Sequence, residues 1–425
     1  MDAKILSRIE QCFEHIPESD SRAKIGPKKF LISLIFCLAA DSKRKSIDGL
    51  RREIGAKVGQ LLSRGCFWER LATNRLRRLL VESLSQLMKA LAIQSGLASE
   101  ILEAFKVKGI FLLDSSSITL PKKARMQYPA PRNNVMPAAI KWHLCMDLLS
   151  GAMRWFSLTP ATEHDSQHFP PTNFLKGSLI IFDLGYWNYR ILSDLIHQGC
   201  FFLCRVKVNA VIKVVGICDN APRYKLLGRD LMDFNWKRKR EDLIEVLGSF
   251  QHLGEELFEA RVIGFWNPVS GCYHWYTTNL LVSARVIYPA YRLRWQIELV
   301  FKAAKGSLCL DDAPSANNNI IWSLILSSLI VNIIAHPLAR AIGGEESSSK
   351  KKASISFQRA ASFILHVSEE LRRYIIKPCR STLSPVCKKL KMFRSELFDP
   401  NFNKRETSLS RVMVMTNHLS PGCFL

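Results

Sequence analysis

Two periodicities of hydrophobic and polar positions divide the chain. In residues 1–100, apolar side chains recur at helical spacing, as in LISLIFCLAA and LRRLLVESLSQLMKALAI, which predicts helices. From about residue 108, short apolar runs predict strands at GIFLLD (109–114), IKWHLCMDL (140–148), RWFSLT (154–159), SLIIFD (178–183) and CFFLCRVK (200–207). Between the last two, a helix capped by Asn188 and closed by Gly199 is predicted. Strands followed by a helix and another strand indicate an α/β sheet.

The pattern changes again after the fifth predicted strand. Residues 208–282 contain three further predicted strands, at VIKVVGI, ARVIGFW and HWYTTNLLV, and a helix is predicted from about 285 to 305. The next segment, 320–335, is almost entirely apolar but shorter than the ~20 residues that a bilayer requires. A helix buried in a large core is therefore favoured over a membrane span. Near 343–356 the run GGEESSSKKKASIS predicts a flexible joint before a basic, partly helical tail.

Composition and charge narrow the class of protein. The 425 residues include 60 Lys and Arg against 37 Asp and Glu, a net charge of +23. Such an excess favours a polyanionic partner, either nucleic acid or an acidic membrane surface. Residues 208–282 are an exception, with nine basic and nine acidic residues, which indicates a separately composed insertion. With 48% hydrophobic residues the chain is globular, so wholesale disorder and collagen-like structure are excluded.

The cysteines and the N-terminus bear on the compartment. None of the twelve cysteines forms a CxxC pair, so a zinc ribbon or finger is poorly supported. The start, MDAKILSRIEQCF, carries acidic residues and has no apolar core, unlike a signal peptide. A reduced, cytoplasmic protein is expected. The basic N-terminal helices favour a DNA-binding domain, although each single arginine there also suits a solvated helix surface.

Two aspartates share a sequence context. Asp114 and Asp183 each end a predicted apolar strand and precede loop chemistry. The carboxyl ends of strands in an open α/β sheet are where ligands bind, and a strand holds a carboxylate rigidly there. For either aspartate alone, a turn or capping role is the better interpretation. Two of them in adjacent strand units favour a functional site.

The predicted helix near 290–305 carries a further polar set. Tyr291, Arg294, Glu298 and Lys305 lie at −7, −4, 0 and +7 from the glutamate, so one helix face holds all four. A carboxylate beside two cations and a tyrosine can bind a metal ion while the cations hold phosphates. The alternative is an exposed helix with ion pairs four residues apart.

These residues resemble those of a known family. YRLRWQIELVFKAAK (291–305) resembles the Y-x-x-R-x-x-x-E-x-x-x-x-x-x-K signature, called YREK, of insertion-sequence DDE transposases. LLDSSSITL (112–120) is similar to the first-aspartate motif of that family and IIFDLGYWN (180–188) to the second. GCFFLCRVKVNA (199–210) and TTNL (277–280) resemble further family elements, so the likeness spans roughly 105–335.

The resemblance implies an architecture. The fold class is α/β, an RNase H-like mixed sheet with a β-rich insertion, flanked by an N-terminal helical domain and a helical C-terminal tail. The implied divisions are a DNA-binding domain at 1–105, a catalytic core at 106–207 and 283–340, the insertion at 208–282 and a basic region at 341–425. Asp114 is expected on the first strand, Asp183 after the fourth and Glu298 on a later helix.

The resemblance also implies a chemistry. Asp114, Asp183 and Glu298 would be the catalytic metal ligands, for Mg²⁺ or alternatively Mn²⁺, because carboxylate oxygens suit these ions. Two such ions about 3.5–4 Å apart can activate water and neutralise the leaving oxygen. Water would first free a 3′-hydroxyl at the end of the element, and that hydroxyl would then attack target DNA.

Several residues are expected to contact DNA. Tyr291, Arg294 and Lys305 would hold phosphates of the terminal nucleotides, and Arg205 and Lys207 lie beside the active edge of the sheet. Trp275 is a candidate for stacking on an unpaired base, with a core tryptophan as the equal alternative. For two further groups of residues a structural role is the favoured interpretation. His164 and Asp165 could assist metal binding, but loop capping suits them better. Lys237 to Arg240 could contact DNA, but a solvated surface suits them better.

The predicted function is that of a cut-and-paste transposase acting on the terminal inverted repeats of its own element and on target DNA. By analogy with such enzymes, which join two element ends, a homodimer on DNA is expected, in the cytoplasm and associated with the bacterial nucleoid. Two alternatives remain open, a DDE-type nuclease without strand transfer and a non-catalytic DNA-binding protein derived from a transposase. A membrane-associated protein would rest on 320–335 alone, so no membrane partner is expected.

Overall fold

The computed structural model describes residues 2–21, 23–39, 46–91, 98–131, 138–218, 226–234, 236, 241–252, 255–307, 314–343 and 357–397. The helices are α1 (Asp2–Gln11), α2 (Pro27–Ala39), α3 (Ile47–Val58), α4 (Arg64–Leu71), α5 (Asn74–Ala90), α6 (Ala98–Phe105), α7 (Tyr189–His197), α8 (Ala284–Arg292), α9 (Trp295–Ser307), α10 (Asn318–Gly343), α11 (Phe357–Ile376) and α12 (Arg380–Met392). The strands are β1 (Ile110–Leu120), β2 (Ala138–Asp147), β3 (Met153–Pro160), β4 (Leu179–Phe182), β5 (Phe201–Arg205), β6 (Val211–Ile217), β7 (Leu243–His252), β8 (Glu255–Asn267) and β9 (Cys272–Thr278). The predicted joint at 343–356, apart from Gly343 at the end of α10, and the Lys237 to Arg240 run lie outside the described residues.

All nine strands form one mixed sheet in the order β3-β2-β1-β4-β5-β9-β8-β7-β6. β1, β4 and β5 are parallel to one another, and every other pairing is antiparallel. The α/β class predicted from the sequence is therefore confirmed. The strands from 208–282 extend this same sheet, because β9 pairs with β5.

Both faces of the central strands are buried, and alternation decides which residue faces which side. On β1, Ile110 and Leu112 belong to a core that the helices share, whereas Phe111 and Leu113 belong to a second core on the opposite face. The helical core joins one sheet face to α10, the N-terminal helices and the C-terminal α11 and α12. The second core is formed on the opposite face of the sheet by residues of the central strands, of β6 to β8 and of α7.

The apolar helix predicted at 320–335 is the centre of the helical layer. It runs as α10, contains Pro337 and packs against α2, α5 and α11. Among the described residues one segment, Asn318–Ile342, is long and apolar enough to cross a membrane, and 89% of its most apolar window is buried inside the protein. A core helix of a soluble protein meets the same criteria.

Three local features differ from the sequence prediction. β1 does not end at Asp114 but continues to Leu120, because its polar residues from Ser115 onward pair with β2 and so satisfy their backbone groups. The single helix expected at 285–305 is two helices, since i+3 hydrogen bonds such as Arg294 N to Tyr291 O (3.0 Å) tighten the chain between α8 and α9. Strand β7 was not predicted, although Ile244, Val246 and Phe250 are buried at alternating positions.

The helix between β4 and β5 is confirmed. The side chain of Asn188 accepts hydrogen bonds from the backbone N–H groups of Arg190 (2.9 Å) and Ile191 (3.5 Å), which caps α7. Gly199 follows the helix with φ of 68°. Turn and cap residues close in sequence carried this prediction, so no tertiary information was required.

Candidate active site

The register of β1 against β4 brings two aspartates together. Leu113 is the partner of Phe182 in the parallel pairing, so the next residues, Asp114 and Asp183, lie side by side. Alternation directs both toward the helical core, the face shared by Leu112 and Ile181. The structure therefore places both carboxylates on one face, although Asp114 lies within a strand and Asp183 directly after one.

Helices α8 and α9 cover these carboxylates with the other residues of the predicted set. Arg294, in the turn between the two helices, donates from Nη1 to Asp114 Oδ2 and from Nη2 to Glu298 Oε1 (2.7 Å). Tyr291 donates its hydroxyl to Asp183 Oδ1 (3.2 Å). One guanidinium thus bridges the first and third carboxylates, while the tyrosine holds the second.

Burial and mutual repulsion perturb this group. Burial raises the pKa of Asp114 to about 6, and the nearby Asp183 and Glu298 add to the rise; Arg294 and the N–H of Ser115 (2.8 Å) oppose it. Burial opposes the charge of Arg294, but Asp114 and the other acidic neighbours outweigh it and raise the pKa of that guanidinium. Arg294 therefore stays charged and offsets the repulsion among three carboxylates.

Lys305 contacts the strand that carries the first carboxylate, not a carboxylate itself. Its Nζ donates to the backbone carbonyl of Ser117 on β1. Of the four residues of the predicted helix face, Tyr291 and Arg294 therefore contact the aspartates, Glu298 joins them through Arg294, and Lys305 lies farther along β1. The break between α8 and α9 does not separate them, because both helices pack on the same core.

A second polar cluster lies on the opposite face of β1. The hydroxyl of Ser115 donates to Asp165 Oδ2 (3.0 Å), and Lys141 on β2 pairs with Asp165 Oδ1 (2.6 Å). Beside them, the buried His143 ring contacts the Tyr186 hydroxyl (2.8 Å). Because Ser115 follows Asp114 directly, this cluster braces the backbone that carries the first carboxylate.

Sequence reasoning had favoured a capping role for His164 and Asp165. His164 does cap, since its Nδ1 accepts from the N–H of Ser166 (3.3 Å). Asp165 instead forms the ion pair and hydrogen bond just described. No local pattern distinguishes these roles, because both partners of Asp165 are distant in the sequence.

The remaining predicted DNA contacts are distributed differently. Arg205 is exposed at the end of β5, on the sheet face that also carries Tyr276 and that Tyr291 covers. Burial raises the pKa of Tyr276 to about 12, and the positive charge of Arg205 opposes this rise. Lys207 lies in the turn after β5, and no contact between described residues joins it to the carboxylates. Trp275 lies on the other face of the sheet, packed against Trp236 (ring centroids 5.4 Å apart). The structure does not bring Trp275 to the carboxylates.

One residue near the site was not singled out from the sequence. Trp295, next to Arg294, has 57% of its surface exposed, an unusual position for so large an apolar ring. The sequence could have indicated this exposure, because Trp295 lies between Arg294 and Gln296 on the polar side of the predicted helix. No group of three His, Cys, Asp or Glu side chains among the described residues is arranged to hold a metal ion as they stand.

Comparison with known proteins identifies the family of the chain. The family model of the transposase DDE domain matches residues 106–332, which is more than half of the chain. The chain therefore belongs to the transposase DDE domain family, and the predicted resemblance to insertion-sequence DDE transposases is confirmed.

Individual relatives are distant. The chain is 23% identical over 266 residues to the transposase for insertion sequence element IS1151 of Clostridium perfringens, covering 53% of this chain and 56% of the relative. It is 25% identical over 314 residues to the transposase for IS231C of Bacillus thuringiensis subsp. berliner, covering 62% and 64%. The chain thus spans little more than half the length of such relatives. A cryo-EM structure of a piggyBac transposase synaptic complex with hairpin DNA has a TM-score of 0.44 at 12% identity, over 91% of this chain and 82% of that one.

Proposed function

We propose that this protein is a DDE transposase that cleaves DNA at the ends of its insertion element and transfers the freed 3′-hydroxyl into target DNA. The observation that carries the proposal is the meeting of Asp114, Asp183 and Glu298, from three separate elements, beneath Arg294 and Tyr291. Carboxylates gathered at one partly buried point, with cations beside them, suit phosphodiester chemistry.

The donor set fits a hard divalent cation such as Mg²⁺ or Mn²⁺. Burial, with a further contribution from the nearby Asp183 and Glu298, raises the pKa of Asp114, so its negative charge needs a cation, and a positive group, Arg294, already lies between Asp114 and Glu298. A bound ion would neutralise charge at the reacting phosphate and acidify the attacking water. Asp114, Asp183 and Glu298 would hold it, and Arg294 would have to release Asp114 and Glu298 for this to happen.

The surrounding residues would bind and orient DNA. Arg294, once released, could hold a phosphate in a bidentate fork, and the hydroxyl of Tyr291 could donate to another. Lys305 and the exposed Arg205 flank the carboxylates along β1 and β5. Contacts from Lys207 and base stacking by Trp275 stay predictions, and the packing of Trp275 against Trp236 favours a core role for it.

The strand order and directions of β1 to β5, with carboxylates on β1, after β4 and on α9, support an RNase H-like core at 106–207 and 283–340. On this proposal 208–282 is its insertion, 1–105 a DNA-binding domain and 341–425 a basic C-terminal region. Cytoplasmic action on nucleoid DNA, as a homodimer that joins two ends, belongs to the same proposal.

The test is cleavage of end-bearing DNA with Mg²⁺ by wild type and by Glu298→Gln, which keeps the size of the side chain but removes its charge. Glu103→Gln, on the exposed surface of α6, is the matched control. Cleavage and strand transfer are expected from wild type and control, and neither from Glu298→Gln, with DNA binding retained.

Other outcomes favour the other candidates. Cleavage without joining would indicate a nuclease that lacks strand transfer. Binding of the element ends without cleavage by any variant would indicate a non-catalytic DNA-binding protein. Equal cleavage by Glu298→Gln and wild type would refute the role of this glutamate.

A further inference from the structure

The described part of the segment that joins β1 to β2 is largely exposed, and every charged residue of that segment is basic. Within its described part, residues 121–131, Lys122, Lys123 and Arg125 are exposed, and none forms an ion pair with another described residue. The sequence contains no acidic residue between Asp114 and Asp147. We refer to residues 121–131 as the hairpin loop.

The hairpin loop is held firmly in spite of its exposure. Its backbone forms a tight turn, with Ala124 N bonded to Pro121 O and Tyr128 N to Ala124 O, both at 2.8 Å. The buried Tyr128 hydroxyl donates to Asn318 at the start of α10 and accepts from Trp322 Nε1 (2.9 Å). Cations on such an ordered turn lose little entropy when they bind a partner.

This anchor also ties the hairpin loop to the N-terminal helices. The guanidinium of Arg77, on α5, lies 4.0 Å from the centre of the Trp322 ring. The exposed Arg78 follows it on the same helix. Positive charge therefore continues from the hairpin loop onto α5 and is not confined to a single turn.

The position of the hairpin loop relative to the carboxylates follows from β1 itself. Pro121 lies seven positions beyond Asp114, and at about 3.3 Å per strand residue this is roughly 23 Å. For a duplex whose axis runs along β1, that distance corresponds to about seven base pairs at a rise of ~3.4 Å. Lys305, bonded to the Ser117 carbonyl, adds a positive group between the two points.

We propose that the hairpin loop binds the sugar–phosphate backbone of the duplex DNA engaged at the carboxylate site, about seven base pairs from the reacting phosphodiester. The inference rests on the proposed function, because that function puts DNA at Asp114. Lys122, Lys123 and Arg125 suit phosphate contacts, which contribute affinity and register but carry no sequence information directly, and the exposed Gln127 is the one uncharged polar side chain exposed beside them in residues 121–131.

The first test is the salt dependence of duplex binding. The variant Lys122→Gln/Lys123→Gln/Arg125→Gln is compared with wild type and with Arg190→Gln/Lys213→Gln/Arg229→Gln. The control removes three exposed cations from α7 and from the region of β6, at the far edge of the sheet.

If each of the three cations meets one phosphate, the slope of log affinity against log salt falls by about 2.7, at ~0.9 per contact. A fourfold rise in salt then shrinks the affinity gap to wild type by about 40-fold. The control should keep the wild-type slope. An unchanged slope in the hairpin-loop variant, with end cleavage by wild type intact, would overturn this proposal and leave the proposed function standing.

The second test maps the contact. A photoreactive p-benzoylphenylalanine in place of Met126, which is 98% exposed, should crosslink to DNA about seven base pairs from the cleaved bond. The proposal would be contradicted if no crosslink formed, or if all crosslinks lay far from this position on the DNA. The hairpin-loop variant is also tested on phosphatidylserine vesicles. If it binds duplex DNA as wild type does but no longer binds the vesicles, the proposal is overturned in favour of a membrane surface.

Discussion

Replacing Arg294 by Met removes the cation that bridges Asp114 and Glu298. The side chains of Arg294 and Asp114 are only 17% and 14% exposed, so solvent screens the lost pair weakly. The variant loses the two hydrogen bonds that Arg294 donates to Asp114 and Glu298. Apart from any charge–charge attraction, this loss should lower the free energy of unfolding by about 1–2 kcal/mol at any pH. A further loss depends on pH, because Asp114 keeps its charge in the wild-type protein only above its own pKa.

The magnitude of that further loss follows from the pKa of Asp114, about 6 in the folded protein. Without Arg294 this carboxyl can avoid an unpaired charge by staying protonated, which costs about 1.4 kcal/mol for each pH unit above 6. The additional destabilisation is therefore capped at about 3 kcal/mol near pH 8 and vanishes below about pH 6, where Asp114 is protonated in both folded proteins. The sign is fixed: the variant loses more stability as the pH rises.

The assay is unfolding by denaturant, for wild type and Arg294→Met, at about pH 8 and about pH 5.5. Arg261→Met is the matched control, since Arg261 forms a similarly buried pair with Glu245 between β8 and β7. Saturating Mn²⁺ should restore more stability to Arg294→Met than to the control, because a divalent ion can replace the lost charge among the carboxylates. Equal destabilisation at both pH values, or no difference in response to Mn²⁺, would refute this reasoning.

Three further substitutions test other features. Asp165→Asn removes the charge that braces β1 and should slow end cleavage by about 10-fold or more at unchanged DNA affinity, in single-turnover assays; unchanged rates would remove Asp165 from the positioning of the site. Gly264→Ala brings a methyl group into overlap with the edge of the Trp275 ring and should lower stability by about 1–3 kcal/mol with a shifted tryptophan emission; an unshifted spectrum would show that the ring does not cover Gly264. Gly151→Ala combines a φ of 68° with overlap on the buried His336 ring, so a loss above about 1 kcal/mol is expected in denaturant unfolding, and a neutral effect would contradict the packing of α10 against this turn.

Local signals carried the correct predictions of secondary structure. The cap at Asn188 and the apolar runs of β4 and β5 depend on neighbours within a few residues, so the sequence was sufficient for them. The end of β1 could not be found this way. Ser115 and its neighbours look like loop residues, and only pairing with β2 makes them a strand.

The candidate site shows the same division. The ends of predicted strands, the face of one helix and the family resemblance made Asp114, Asp183 and Glu298 candidate metal ligands and Tyr291 and Arg294 candidate DNA contacts. No spacing rule could show that Arg294 bridges two of the carboxylates, since that contact depends on how α8 and α9 pack over the sheet. Trp275 is the converse case, because strand alternation and the course of β9 turn it away from them.

The sequence by itself determined what depends on near neighbours: which segments are helical or extended, which residues alternate toward a core, where charge accumulates and which motifs mark the family. The tertiary structure alone decided which distant residues meet. It joined the strands of 208–282 to the edge of β5, set Asp165 behind Asp114 and fastened the hairpin loop to α10 through Tyr128. The reason is physical, since such contacts form between elements whose packing is set by the whole core, and neither partner carries a local trace of the other.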